Sequence, residues 1–206
     1  MPQKSSALLF SSFAGYNRKQ MYFESQVFEG VTRLQRGEYE NCTFMGCDLS
    51  ESDFTGFKFI DSAFDGCNLS MVKLAATAFQ DVTFKDSKML GIRFDTASGF
   101  GLSFSFENCR LDHSSFFRLK LRKTRFINCD MEGVDFGEAD LTEALFESTK
   151  LVQAIFDNTI LEKADLRTAS GFSIDPERNK LKKARFSQAN IAGLLDKYQL
   201  QIDRSL

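Results

Sequence analysis

Residues 129–146 read CDMEGVDFGEADLTEALF, from Cys129 to Phe146. A large apolar residue recurs at every fifth position: Met131, Phe136, Leu141 and Phe146. Two residues before each stands a small one, Cys129, Val134, Ala139 or Ala144. Neither regular element accommodates this period. Five residues of α-helix rotate a side chain by about 500°, leaving it about 140° off its starting face. In a straight strand an odd spacing sends successive anchors to opposite faces. Within one unit the parity does work, because residues two apart on an extended chain point the same way. The chain must therefore run extended for a few residues, turn a corner in a constant sense, and repeat. That path is a solenoid with its anchors inside.

The pattern runs outward from this stretch through most of the 206 residues. One unbroken ladder of anchors extends from Tyr39 to Phe94 and includes Phe44, Phe54, Phe64 and Phe84. A second extends from Phe106 to Leu166 and includes Phe116, Phe126, Phe136, Phe146 and Phe156. Leu181, Phe186 and Ile191 continue its phase. These aromatic anchors are the expected core and explain a composition of 23 Phe with no Trp and two Pro. The ladder has two interruptions. Across 95–105 the phase slips by two residues, and 169–180 keeps phase but places Gly171 and Pro176 where anchors belong.

The units ADLTE (139–143), ADLRT (164–168), CDLSE (47–51) and CNLSM (67–71) resemble the A(D/N)Lxx repeat of the pentapeptide-repeat proteins. The resemblance covers roughly residues 32–191. It implies an all-β fold, a right-handed quadrilateral β-helix with four pentads per coil, a number that the period alone does not supply. At twenty residues per coil, residues 32–191 make about eight coils at about 4.8 Å each, within a solenoid domain expected over 22–191. Residues 192–206 are expected to form a cap with a short helix. Residues 1–21 read as a loosely ordered leader, or as an upstream extension of a chain whose true start is Met21. Phe23 and Phe28 stand out of phase and are expected to cover the first coil and block edge pairing.

Within the family the chain is similar to the Qnr-type quinolone-resistance proteins in length, in its mid-ladder break and in a Leu-Leu segment after the last repeat. That resemblance implies a protein partner, DNA gyrase or topoisomerase IV, and a homodimer made by the C-terminal segment. Leu194, Leu195, Tyr198, Leu200 and Ile202 are the candidate dimer residues. Function in repeat proteins concentrates on the surface and its interruptions. Gly99, Phe100, Gly101 and Leu102 are therefore the candidate partner-binding loop. A generic interaction scaffold with another protein partner is the alternative.

Charge and chemistry narrow the function. The formal net charge is −2, whereas a 40 Å length of B-DNA presents roughly 24 negative charges, so bulk electrostatic mimicry of DNA is poorly supported. RLKLRKTR (118–125) and RNKLKKAR (178–185) look like nucleic-acid patches in linear sequence. On a solenoid each is a belt around the rod, and a residue touches its neighbour twenty away. Stacked this way the columns alternate in sign: Arg110, Asp130, Lys150; Lys123, Glu143, Lys163; Arg118 over Glu138; Lys120 over Asp140; Glu147 over Arg167. In the first ladder Glu38 meets Lys58 and Asp65 meets Lys85. No direct nucleic-acid binding is expected. All five cysteines (Cys42, Cys47, Cys67, Cys109 and Cys129) occupy the small position before an anchor, with no CxxC pair. They read as packed free thiols in a reducing cytoplasm, with neither metal nor cofactor implied. His113, flanked by Asp112 and Ser114, is the only histidine and reads as a surface corner residue rather than a triad member. No apolar run is long enough to span a membrane.

Overall fold

The computed structural model describes residues 21–201; the expectations placed on 1–20 and on Ile202 lie outside them. The chain winds as a parallel β-solenoid. One side of the coil carries β1 (Met21–Glu24), β3 (Gly37–Glu40), β5 (Lys58–Ile60) and β7 (Ala78–Gln80), paired in that order. The next side carries β2 (Val27–Glu29), β4 (Thr43–Met45), β6 (Ala63–Asp65), β8 (Val82–Lys85), β9 (Phe104–Glu107), β10 (Arg125–Ile127) and β11 (Leu145–Glu147), also stacked in chain order. Every pairing is parallel. The usual register is twenty residues, as in Phe44↔Phe64 and Phe126↔Phe146. Twenty residues in steps of five make four sides per coil.

Paired strands on the longer sheet span about six turns, fewer than the eight expected from length. Isolated bridges, Leu145↔Asp165 and Asp165↔Arg185, carry the same side further. The other two sides are held mostly by such bridges, for example Asp53↔Lys73 and Arg110↔Asp130. Their extended runs are too short for a ladder because a corner arrives every five residues.

The corners explain which residues the repeat tolerates. Every non-glycine residue with left-handed backbone, Gln199 excepted, lies two after an anchor, from Ser25 to Lys183. An L-residue pays roughly 1–2 kcal/mol for this conformation, with Asn and Asp tolerating it best. Asn41, Asp61, Asp81, Asn108 and Asn128 fit that preference. The corner amide is not lost: Asn41 N–H donates to the Ile60 carbonyl and Glu143 N–H to the Glu162 carbonyl, each at 2.9 Å, one coil along.

The core is a set of aromatic columns. Along the longer sheet the rings of Phe28, Phe44, Phe64, Phe84, Phe106, Phe126 and Phe146 stack with centroids 4.4–5.4 Å apart. Phe54, Phe94, Phe116, Phe136 and Phe156 are buried on the column of the opposite side, and Phe94, Phe116 and Phe136 meet the first column edge-on, as Phe126 meets Phe136 at 5.8 Å. Offset stacks and T-shaped contacts are the arrangements a ring quadrupole favours. A void of about 10 Å³ is lined by Leu69, Val72, Leu74 and Met89 among others, barely the space of one water; Leu74 stands between Phe54 and Phe94 in an otherwise aromatic column.

The small position is more than a gap filler. Thr159 Oγ1 donates to the Phe136 carbonyl (2.8 Å), Thr77 Oγ1 to Phe54 (2.7 Å), and the Cys67 and Cys109 thiols to Phe44 and Phe84 (each 3.4 Å). Each satisfies a carbonyl of the coil before it, where an unpaired buried acceptor would cost about 1–3 kcal/mol. Cys, Ser and Thr share this site because each is small and carries a donor. All five cysteines are free and buried.

Several expectations need correction. Phe23 and Phe28 do not block pairing. They lie on β1 and β2, paired in register with Tyr39 and Phe44. That first coil is sixteen residues long instead of twenty, which is why their phase looked wrong, and it moves the sheet edge outward to β1 and β2. Ile191 is not an anchor but exposed. At the second interruption Phe172 and Ile174 are buried in place of the absent Gly171 and Pro176 anchors. Among the described residues the C-terminal segment forms no α-helix; short 3-10 turns stand at Ile191–Leu194 and Asp196–Tyr198.

Candidate protein-binding surface

The break at 95–103 crosses the side of the coil that carries β7, in the turn that leads into β9. Phe94–Thr96 forms a 3-10 turn. The Arg93 guanidinium grips Asp95 through two hydrogen bonds of 2.9 and 2.6 Å, and Thr96 Oγ1 donates to the Arg93 carbonyl. The far end is held where Ser103 N–H donates to the Phe79 carbonyl and Ser103 Oγ to Asp81 (2.8 Å). Ser98 N–H donates to the Thr77 carbonyl. The two extra residues set the register from β8 to β9 at twenty-two, Phe84↔Phe106. A segment pinned at both ends presents its middle outward.

Phe100 is that middle, 84% exposed, the most exposed large apolar residue among those described. Gly99 and Gly101 flank it in the open, and Gly101 takes a φ of +66°, which suits glycine. Leu102 is half-buried and packs against the core. Only one apolar group of the loop is thus offered to a partner.

The anchor missing from this level would have left a hole. Phe104 fills it. It occupies the small position before Phe106, is 5% exposed, and lies 5.4 Å from the Phe94 ring and 5.1 Å from Phe106. Sequence reading missed it; the signal was a Phe pair two apart, Phe104 and Phe106, beside a phase slip. Phe57 is a similar large residue in a small position, buried beside Tyr39 and Phe59.

The C-terminal segment closes the other end. Asn190 Nδ2 donates to the Leu166 (2.8 Å) and Ala169 (2.9 Å) carbonyls. Gly193 lies against Phe172, where a side chain would collide with ring and carbonyl. Leu194 and Leu195 are half-buried in this closure. Tyr198 is half-exposed and donates to Glu177 (3.1 Å). Lys197 bridges Asp175 (2.7 Å) and Glu177 (2.6 Å); its hydrogen bond to Asp175 holds the ammonium above its ordinary range. What the cap leaves for an end-to-end partner is Ile191, Tyr198 and Leu200.

Some charge columns close as stacked pairs: Glu38–Lys58 (3.2 Å), Arg118–Glu138 (2.8 Å), Asp130–Lys150 (2.9 Å), and Glu143 with Lys163 (3.0 Å) and Lys123 (3.9 Å). Others do not. Arg110 pairs with Asp112, Arg122 rather than Lys120 reaches Asp140, Lys85 reaches Glu107, and Arg167 turns to Asp165. A residue two along the same strand competes with the one a coil away. The Lys163 hydrogen bond holds the Glu143 carboxyl below its usual range. Glu143→Lys is expected to lower the melting temperature, and adding Lys163→Glu to restore part of it. A double-mutant cycle with zero coupling refutes the pairing.

His113 sits at a left-handed corner, exposed, over Gly133. Ser114 Oγ is buried and donates to the Met89 carbonyl (2.9 Å), while Asp112 pairs with Arg110. The three diverge and form no triad. No cluster of His, Cys, Asp and Glu suited to a metal occurs among the described residues, and no helix among them is long and apolar enough to cross a membrane.

The profile of the pentapeptide repeat region matches residues 38–100 and 102–186, meeting at the break. The chain belongs to the pentapeptide-repeat family. Among solved structures it is similar to two trypsin-treated variants of QnrB1, a plasmid-mediated fluoroquinolone resistance protein. They show 17% and 18% identity and TM-scores of 0.61 and 0.62, and each alignment covers 89% of this chain and 98% of the other. The pentapeptide repeat protein HetL of the cyanobacterium Nostoc aligns over 82% of this chain and 84% of its own at 13% identity, with a TM-score of 0.40. A search of curated protein sequences finds no match. The chain is thus a pentapeptide-repeat scaffold with the fold of the Qnr proteins.

Proposed function

We propose that this chain is a non-enzymatic binding protein of the cytoplasm that engages a type II DNA topoisomerase, gyrase or topoisomerase IV. The fold shared with a fluoroquinolone resistance protein supports the reading, as do five buried thiols suited to a reducing compartment. The observation that carries it is Phe100, an aromatic side chain held 84% exposed at a pinned break in an otherwise regular rod. Exposed aromatics that enter a partner's pocket supply much of an interface's energy. With a net charge of −2, affinity cannot rest on mimicked phosphates, so apolar contact must carry more of it.

The test is DNA supercoiling by gyrase with ciprofloxacin and titrated protein. The wild-type chain is expected to restore supercoiling. Deleting residues 97–102 should abolish the effect while circular dichroism stays that of a β-solenoid. Phe100→Ala should weaken the effect by roughly tenfold or more, a loss of about 1.4 kcal/mol or greater. A wild-type chain that neither binds gyrase or topoisomerase IV nor shifts quinolone inhibition overturns the reading and leaves an interaction scaffold for another protein.

A further inference from the structure

We propose that two copies of this chain associate side by side and antiparallel through the side bearing β1, β3, β5 and β7, with the two-fold axis at the break. The level structure of that side motivates it. Four levels precede the break, anchored by Phe23, Tyr39, Phe59 and Phe79, and four follow, anchored by Leu121, Leu141, Leu161 and Leu181. Pairings Tyr39↔Phe59 and Phe59↔Phe79 fix the first set. Bridges Lys120↔Asp140, Asp140↔Ile160 and Ile160↔Lys180 fix the second. The break with Phe100 is the middle level.

Charge on this side divides at the same place. Before the break the outward and corner positions hold Glu24, Glu38, Glu40, Asp61 and Asp81 against Lys58 alone. After it they hold Lys120, Arg122 and Lys123, then Lys163, then Lys180, Lys182 and Lys183, against Asp140, Glu143 and Glu162. The excess is four charges at each end, opposite in sign. Lys180, Lys182 and Lys183 make no ion pair among the described residues, nor do Glu24, Asp61 and Asp81, so the imbalance is not quenched within the chain.

A two-fold axis in the contact plane, along the strands of the break level, reverses the order of levels and maps each outward column onto itself. Glu24 then faces Lys182 of a second copy, Lys58 faces Asp140, and Asp81 faces Lys123. The lone base of the acidic end meets an acid of the basic end. Phe100 meets Phe100 at the axis, a buried aromatic centre with charged flanks. Two like pairs also arise, Glu40 with Glu162 and Asp61 with Glu143, but Lys163 lies beside Glu162 and already bonds Glu143. A parallel arrangement would instead set acids on acids before the break and bases on bases after it. At about 4.8 Å per level the side is roughly 40 Å long. Two faces of that length and one strand's width bury on the order of 1,000 Å², the lower bound for a specific interface. The pair is therefore reversible and sensitive to salt. Because Phe100 serves both contacts, self-association competes with partner capture; the dimer itself does not depend on which partner is captured.

Light scattering on the full chain tests this without any topoisomerase. At about 50 mM salt the mass should approach twice 23.4 kDa at high protein concentration and return to the monomer at about 500 mM. Glu24→Lys with Asp81→Lys in one chain, and Lys123→Glu with Lys182→Glu in another, should each weaken self-association by about tenfold or more. Mixing the two variants should restore a dimer, since both contacts become complementary again. A wild-type mass of 23.4 kDa at low salt overturns the proposal. So does a dimer indifferent to salt and to both charge reversals but lost on Leu200→Asp, which would place the contact at the C-terminal end.

Discussion

Phe136→Ala is expected to lower the unfolding free energy by about 3–5 kcal/mol. The side chain is wholly buried. Its ring stacks on Phe116 and Phe156, each at 5.4 Å, and meets Phe126 at 5.8 Å and Phe146 at 5.9 Å edge-on. Removing it takes away transfer energy and leaves a cavity. The cavity cannot close easily, because interior position is set by four corners per coil and by hydrogen bonds to the coils on either side. Each repeat is stabilised mainly by its neighbours, so the loss also weakens coupling between the two halves of the rod. Urea denaturation should show a lower midpoint and, if the halves separate, a shallower transition. Phe100→Ala is the control, expected within about 0.5 kcal/mol of wild type because an exposed ring has little to lose. A Phe136→Ala cost below about 1 kcal/mol would contradict the stacked core.

The second large effect is alkaline. Burial pushes the Cys109 thiol up to about 11 and Cys129 to about 12; Cys67 is raised in the same way, to about 12. In the unfolded chain these thiols ionise near 9. Below that value both states hold the proton and the thiols impose no pH dependence. Between the unfolded and folded values the native state binds more protons than the unfolded state, so stability falls as pH rises. Each fully shifted thiol contributes about 1.4 kcal/mol per pH unit, so Cys109 and Cys129 together remove roughly 3 kcal/mol per unit above about pH 9. Against a typical stability of about 5–15 kcal/mol, unfolding should become evident within two or three units. Other groups titrate there too, so the measurement is a difference. Cys109→Ser with Cys129→Ser keeps a small donor, as Ser62 and Ser87 show at equivalent sites, and should flatten the fall. A double variant with the same alkaline slope as wild type would mean that the thiols are not held neutral by the fold.

The winding was legible because its cause is local. An anchor at every fifth position and a small residue two before it are both constraints within a single pentad. Each follows from parity on an extended chain and from the backbone of one corner. The burial of Phe44, Phe126 or Phe146 needs no knowledge of the rest of the molecule. Regularity failed as a guide where the chain departs from twenty residues per coil and at the C-terminal end, where Ile191 keeps the phase but is exposed. Phe23 and Phe28 looked misplaced because the first coil is sixteen residues long, and nothing in residues 31–36 announces which four are missing.

What only the tertiary structure decided is what meets across coils. A phase slip of two says that a level is irregular, but not that Phe104 leaves its expected small role to fill the absent anchor's space, nor that Leu102 packs inward while Phe100 stays out. Those outcomes depend on the rings above and below, Phe94, Phe106 and Phe116, which are near in space and distant in sequence. Ion-pair choice belongs to the same class. Arg110 has Asp112 two residues along the chain and Asp130 one coil away, and the folded chain pairs it with Asp112 while Asp130 takes Lys150. The acidic and basic halves of one side are likewise invisible in linear order, where charge blocks appear as belts. They resolve into a face only when every twentieth residue is laid over the last, because the solenoid turns sequence spacing into vertical distance.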